Sequence, residues 1–128
     1  MTESAVRIGR VYEPVQPEDG HRILVDRLWP RGMRRGDPRV GEWMKDAAPS
    51  TDLRKWYGHV PERFDEFRTR YEQELSAGDA QQAVLRIREL AVRGTVTLLT
   101  ATKDLDHSEV PILAEVVSQQ PGRTAIDG

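Results

Sequence analysis

The side chains best placed to do chemistry in this chain lie where an apolar run gives way to charged and aromatic residues. The run Ile23, Leu24 and Val25 is typical of a strand buried on both faces of a parallel sheet. Ligands bind at the carboxyl ends of the strands in open α/β sheets. The side chains that follow this run are therefore predicted to line a site: Asp26, Arg27, Trp29 and Arg31.

A second apolar run, residues 95–101, ends in the same way. If the two strands are parallel neighbours, both polar segments lie at one edge of the sheet. A helix is predicted to begin just beyond, and helix N-termini attract anions. The second segment adds three residues to the predicted ligand-binding set: Lys103, Asp104 and His107. In the alternative interpretation, Asp104 and Asp106 only cap the helix and Lys103 is solvated.

Arginine is the residue that gives this site its predicted chemistry. Guanidinium groups bind carboxylate and phosphate in bidentate fashion, so we expect an anionic small molecule on Arg27 and Arg31, with Asp26 orienting an arginine. Glycines and prolines make residues 31–39, the basic loop, irregular and a candidate mobile cover for the site. Trp43 is expected to anchor that loop. Between residues 21 and 40 the chain carries six arginines: Arg22, Arg27, Arg31, Arg34, Arg35 and Arg39.

A third polar group occupies residues 45–59. Trp56 shares a helical stripe with Leu53 and is therefore predicted to be core. The sequence indicates no role for this group, whose members are Lys45, Arg54, Lys55, Trp56 and His59.

Known catalytic and metal-binding motifs are missing. The chain has no glycine-rich phosphate loop, no His-Glu-x-x-His and no Gly-x-Ser-x-Gly. Its histidines, His21, His59 and His107, could join Asp26 and Asp104 around a metal, but no pair has i, i+4 spacing. We predict no metal site, and neither a cofactor nor a reaction follows from the sequence.

Composition limits the class of protein. The 128 residues are 38% hydrophobic and 31% charged, which is typical of a folded globular chain. A net charge of −2 argues against a protein that coats nucleic acid without regard to sequence. It leaves nucleic acid open as a specific partner. The chain has no cysteine, no apolar run of membrane-spanning length and no signal peptide at its start. We therefore expect a cytoplasmic protein without a membrane partner.

Strands alternate with helices along the chain, which predicts a single α/β layered domain with a small, mostly parallel sheet flanked by helices. The core is expected at about 6–118 and a tail at 119–128. Both central strands are expected to carry helices on both faces. The predicted strands are residues 6–11, 22–28 and 95–101. Helices are predicted for 51–57, 61–75, 79–93 and a last segment that begins near Asp106 or Ser108, with one short turn at 41–46.

Four sequence segments together resemble the domain of unknown function 488 family, in its YeaO-like branch. They cover the chain from about Val6 to Val117 and are Arg22-x-Leu-Val-Asp-Arg-Leu-Trp-Pro-Arg-Gly32, Ala48-Pro-Ser-x-x-Leu-Arg-Lys-Trp-Tyr-Gly-His59, Arg63-Phe-x-x-Phe and Gly94-x-Val-Thr-Leu-Leu-x-Ala-x-Lys-Asp104. The resemblance implies a compact α/β bacterial protein and supplies no function. The broader family often places cysteines after the strand that matches 95–100, and this chain has none, so thiol chemistry is excluded.

Three functional hypotheses follow. The first is a small enzyme or ligand-binding domain for an anionic small molecule that carries phosphate or carboxylate. The second is a nucleic-acid or protein interaction module that uses the basic loop, whose binding would fall steeply with salt. The third is a stable domain in which the polar clusters are internal salt-bridge networks.

Overall fold

The computed structural model describes residues 6–119. Its strands are β1 (Val6–Arg10), β2 (His21–Leu24), β3 (Glu42–Trp43) and β4 (Val96–Thr100). Its helices are α1 (Thr51–Tyr57), α2 (Phe64–Leu75), α3 (Gly78–Arg93) and α4 (Glu109–Ser118). Short 3-10 turns lie at Pro17–Asp19, Lys45–Ala47, Pro61–Arg63 and Leu105–His107. The predicted tail lies outside the described residues from residue 120 onward.

The four strands form one parallel sheet in the order β1-β4-β2-β3. Strands β2 and β4 are therefore central neighbours, with Ile23 opposite Leu98 and Leu24 opposite Leu99. This arrangement confirms the α/β layered fold and brings the carboxyl ends of the two apolar runs to the same edge. Strand β2 ends at Leu24 rather than at residue 28, because the chain leaves the sheet soon after the Val25 N–H donates to the Leu99 carbonyl at 3.0 Å.

The two faces of the sheet are covered differently. Ile23 and Leu98 face a core to which all four helices contribute buried apolar side chains. Leu24 and Leu99 face a smaller cluster with Met33 that is closed by side chains from the segments after β1 and β2. The expectation of helices on both faces is therefore wrong. Trp29 in the long connection from β2 to β3 and Trp43 in β3 pack on this cluster, and their apolar surface helps to cover the second face without a helix.

Local sequence signals set the helix ends. The Ser50 hydroxyl accepts from the Leu53 N–H at 3.1 Å to cap α1, and Gly58 ends that helix in the left-handed conformation. Ser108 caps α4. Helix α3 begins at Gly78, one residue before its predicted start, so Asp79 lies within its first turn.

The short turn predicted over 41–46 is displaced. Residues Glu42–Trp43 instead form the edge strand β3, and the 3-10 turn follows at Lys45–Ala47. None of the described helices is long and apolar enough to cross a membrane.

A buried ion pair fixes the amino-terminal end of the sheet. Arg22 and Asp19 are each only 5% exposed, and the guanidinium of Arg22 binds the Asp19 carboxylate. Its other nitrogens donate to the carbonyls of Arg39 at 2.7 Å and Glu13 at 3.0 Å, so the arginine is fully engaged. Burial raises the pKa of Asp19, but hydrogen bonds from Gln16 and Arg22 outweigh it and lower that pKa below 3.8. Arg22 is thus structural.

Truncation of two buried core side chains should destabilise the fold. Leu99→Ala removes a side chain that is 1% exposed in β4, and Phe67→Ala removes one that is 2% exposed in α2. Each should lower the free energy of unfolding by about 2–5 kcal/mol, through lost transfer energy and a cavity. Urea denaturation measures the effect, with Leu85→Ala (44% exposed) as the control that should cost much less. Unchanged midpoints for Leu99→Ala and Phe67→Ala would contradict the core assignment.

Breaking the buried pair from one side should be costly. Asp19→Asn leaves the Arg22 charge buried without its counter-ion, which should cost about 3–5 kcal/mol of unfolding free energy. Glu66→Gln breaks the exposed pair with Arg70 and should cost under about 1 kcal/mol. Chemical denaturation of both variants at neutral pH compares them, and equal losses would show that burial of the Arg22 pair has no energetic consequence.

Candidate functional site

A cleft with a volume of about 290 Å³ opens where β2 and β4 end. Residues from both strand ends, from α1 and from the start of α4 line it. Four of the seven predicted site residues lie there: Asp26, Arg27, Trp29 and Arg31. The carboxyl edge of the sheet is therefore concave, as ligand sites in parallel sheets are.

A second cavity of about 350 Å³ adjoins the first. The other three predicted residues line it: Lys103, Asp104 and His107. Three side chains line both cavities and join them: Tyr57, His59 and Thr102. The two polar segments are thus brought to one edge, but into two adjoining cavities rather than a single ring of side chains.

Asp26 is bonded to the neighbouring strand. One carboxylate oxygen accepts from the Thr100 hydroxyl at 2.8 Å, and the other accepts from the Ala101 N–H at 2.8 Å. The expectation that Asp26 orients an arginine is wrong among the described residues, because both oxygens face the end of β4. Asp26 therefore joins the two central strands at the floor of the cleft.

Glu109, the first residue of α4, lies against Asp26. Its side chain is buried in the wall of the cleft, and its carboxyl group hydrogen-bonds with the Asp26 carboxylate. Burial, followed by the charge and the hydrogen bond of Asp26, raises the pKa of Glu109 well above its ordinary value of 4.5. The Glu109 carboxyl group therefore ionises less readily than that of an exposed glutamate.

Arg27 holds a loop rather than facing the cleft unpaired. It donates to the carbonyls of Pro49 at 3.1 Å and Ala48 at 3.3 Å, just before α1. Its distance to the exposed Asp46 carboxylate is 4.0 Å, which is a weak contact. Through these two hydrogen bonds Arg27 positions the segment that closes one side of the cleft.

Two other arginines line the cleft, and the charge of one of them, Arg54, acts on the nearby Glu109 carboxyl group. Within residues 6–119, the guanidinium groups of Arg31 and Arg54 make neither a hydrogen bond nor an ion pair. Both side chains are exposed to solvent. Their position is fixed from behind, since the Tyr12 hydroxyl donates to the Arg31 carbonyl at 2.9 Å and Arg54 lies on α1. These two side chains are the ones available to an anion.

The basic loop does not cover the cleft as a mobile lid. Arg35 lies over the rings of Trp29 and Trp43, at 4.9 and 5.0 Å from their centroids, and those rings pack edge to face at 5.2 Å. The indole N–H of Trp43 donates to the Asp26 carbonyl at 2.8 Å, which holds the ring in place. Because Arg35 packs on this ring, Trp43 anchors the basic loop as predicted. Arg39 pairs with Asp37. Only Arg31, the first residue of the loop, reaches the cleft, because the tryptophan pair holds the rest elsewhere.

His107 and Asp104 form a pair in the second cavity. The Nδ1 atom of His107 lies 2.9 Å from an oxygen of Asp104, and the imidazole packs edge to face on Phe64 at 5.3 Å. The Tyr57 hydroxyl donates to the His107 carbonyl at 2.7 Å. Burial and the charge of Asp104 raise the pKa of Tyr57, so this hydroxyl stays protonated. Ser108 rather than Asp104 or Asp106 caps α4.

The histidines do not converge on a metal. His21 lies at the amino-terminal end of β2, where it contacts Glu42 at 3.0 Å. His59 and His107 instead line the second cavity, beyond the carboxyl edge of the sheet. Among the described residues, no group of three or more histidines and carboxylates is arranged to hold a metal ion.

Comparison with known proteins identifies the family of this chain. A family model described as the inactive DUF488-N3 subclade matches residues 5–127. The chain belongs to the domain of unknown function 488 family. Uncharacterized proteins of Mycobacterium tuberculosis (strain H37Rv) and Mycobacterium bovis are each 49% identical over 118 residues, 92% of this chain and 98% of theirs. The uncharacterized protein YeaO of Escherichia coli (strain K12) is 39% identical over 111 residues, 86% of this chain and 94% of its own. No solved structure matches significantly.

Sequence reasoning missed part of the cleft of this DUF488 protein. Arg54 and His59, which line the cleft, belong to the third polar group of the sequence. That group was given no role because its tryptophan, Trp56, was predicted to be core. Trp56 is indeed partly buried against the main cluster. His59 adopts a left-handed conformation (φ 60°) directly after the Gly58 helix end, which turns the chain toward the cleft. One feature of the sequence could have indicated Glu109 as a site residue, namely its position at the start of an otherwise apolar helical turn.

Replacing the protonated carboxyl group should change how stability depends on pH. The raised pKa of Glu109 means that the folded state binds an extra proton, so its contribution is complete below pH 4.5 and is lost as pH rises through the raised value. Glu109→Gln keeps an N–H donor for Asp26 and cannot ionise. The unfolding free energy of the wild type should therefore fall relative to the variant as pH rises above 4.5, by at most about 1.4 kcal/mol per pH unit.

Urea titrations across this range check the difference between the two proteins. The carboxyl groups with lowered pKa, Asp19 and Asp37, act at lower pH and are common to both. Parallel curves for wild type and Glu109→Gln would contradict a proton on Glu109 in the folded state.

Proposed function

We propose that this protein binds an anionic small molecule, bearing phosphate or carboxylate, in the cleft at the carboxyl edge of the sheet. The observation that carries the proposal is the presence of Arg31 and Arg54 in the cleft wall without a hydrogen-bond or ion-pair partner among residues 6–119. A guanidinium beside a concave apolar surface is suited to a carboxylate or phosphate group. Arg54 thus replaces Arg27 as the main anion ligand.

Aromatic and apolar side chains support a small organic ligand. Trp29, Pro30, Tyr12 and Phe67 line the same cleft, and a ligand site combines such surface with a few polar groups. The description of the matching family model as an inactive subclade favours binding without turnover. No step of bond making or breaking is part of the proposal.

The interaction module is less well supported. Four of the six arginines between residues 21 and 40 contact other groups of the protein: Arg22, Arg27, Arg35 and Arg39. The basic loop therefore presents less available charge than its composition indicates. A phosphate-backbone contact would weaken steeply between 50 and 200 mM salt, whereas binding in the cleft would depend less on salt.

Thermal stability in the presence of small anions tests the proposal. Inorganic phosphate and citrate are the probes, and a ligand of the native state at 100 times its Kd stabilises the protein by about 2.7 kcal/mol. At least one probe should raise the Tm of the wild type. Arg54→Ala should abolish the rise, and Arg31→Ala should reduce it.

Arg93→Ala is the matched control, since it removes an exposed arginine from the end of α3, away from the cleft. It should keep the full rise in Tm. A rise that survives Arg54→Ala, or one that Arg93→Ala abolishes equally, would place the anion elsewhere on the surface. The absence of any rise would favour a domain whose charges serve only structure.

A further inference from the structure

The floor of the cleft carries a charge that a simple anion does not use. Asp26 and Glu109 both line the cleft, and the side chain of Glu109 is only 7% exposed. Each Asp26 oxygen accepts one hydrogen bond from the end of β4, and a carboxylate oxygen can accept a second. The pair therefore offers both negative charge and acceptor capacity to a molecule inside the cleft.

The lining of the cleft thus carries groups of opposite charge. Arg54 and Arg31 supply positive charge in its wall, and the carboxyl pair supplies negative charge at its floor. A purely anionic molecule gains from the arginines but is repelled by the pair. A molecule with an anionic group and a protonated amine gains from both. A volume of about 290 Å³ suits a small metabolite.

We propose that the ligand is amphoteric, with its phosphate or carboxylate on Arg54 and Arg31 and its ammonium group on the Asp26–Glu109 pair. This inference rests on the proposed function, whose site it shares, and it names the chemical class of ligand that the site selects.

Binding of an ammonium group should release a proton. The groups that face Glu109 are Asp26 after β2, Arg54 on α1 and Tyr71 on α2. Arg54 stays charged, and burial raises the pKa of Tyr71 so that its hydroxyl stays neutral. The proton on Glu109, whose pKa is raised, is therefore the one that a nearby ammonium group displaces.

Two probes differ only in the amine. Phosphoethanolamine and monoethyl phosphate carry the same phosphate on the same two-carbon chain, and calorimetric titration at pH 7 in two buffers of different ionisation enthalpy gives both affinity and proton release. Phosphoethanolamine should bind at least tenfold more tightly and should release more protons than monoethyl phosphate. Arg54→Ala should weaken both probes, and Arg93→Ala should weaken neither.

Two variants separate the charge from the proton. Asp26→Asn removes the negative charge, so the preference for phosphoethanolamine should fall below about threefold. Glu109→Gln leaves the Asp26 charge in place, so the preference should remain while the additional proton release disappears. If Asp26→Asn does not fold, the proton-release measurement on Glu109→Gln still decides.

The outcomes distinguish the two proposals. Equal affinity of the wild type for both probes would overturn the amphoteric ligand and leave anion binding intact. Binding of neither probe would overturn anion binding itself, and the amphoteric ligand with it. Additional proton release that persists in Glu109→Gln would show that the proton does not come from the carboxyl pair.

Discussion

The carboxylate of Asp26 joins three parts of the molecule at one point. It lies just beyond β2, accepts hydrogen bonds from the end of β4, and lies against the carboxyl group of Glu109 at the start of α4. The cleft forms where the two strands end and α4 begins. Two buried carboxylates are unfavourable side by side, and the raised pKa of Glu109 favours its neutral form. The same pair that closes the fold also determines the polarity of the candidate site.

Arginine serves several different purposes in this small protein. Arg22 is buried against Asp19, Arg27 holds backbone carbonyls, and Arg35 packs on two indole rings. Within residues 6–119, Arg31 and Arg54 are the cleft arginines whose guanidinium groups make no hydrogen bond or ion pair. A high density of one charged residue therefore says little about binding until the internal partners of each guanidinium are known.

The sequence was a good guide to the sheet and a poorer guide to the site. Apolar runs identify β2 and β4 because strands buried on both faces are mostly apolar, with the one buried charge of β2, Arg22, paired to Asp19, and the convergence of the two strands follows from parallel pairing. The roles of Arg27 and Arg54 were not predictable, because they depend on backbone carbonyls and cavity walls contributed by distant segments. The cover of the second face was missed because two tryptophans can replace a helix in covering apolar surface.

The strand order also constrains how the chain is made. Strand β4 lies between β1 and β2, so neither amino-terminal strand has its main partner until residues 96–100 have been synthesised. Only the two-residue pairing of β2 with β3 can form earlier. During translation the growing chain therefore passes most of its length without a sheet, and the edge that bears the cleft assembles near the end. Contacts of such high sequence separation slow folding, and they leave the apolar strands exposed to chaperones while the ribosome completes the chain.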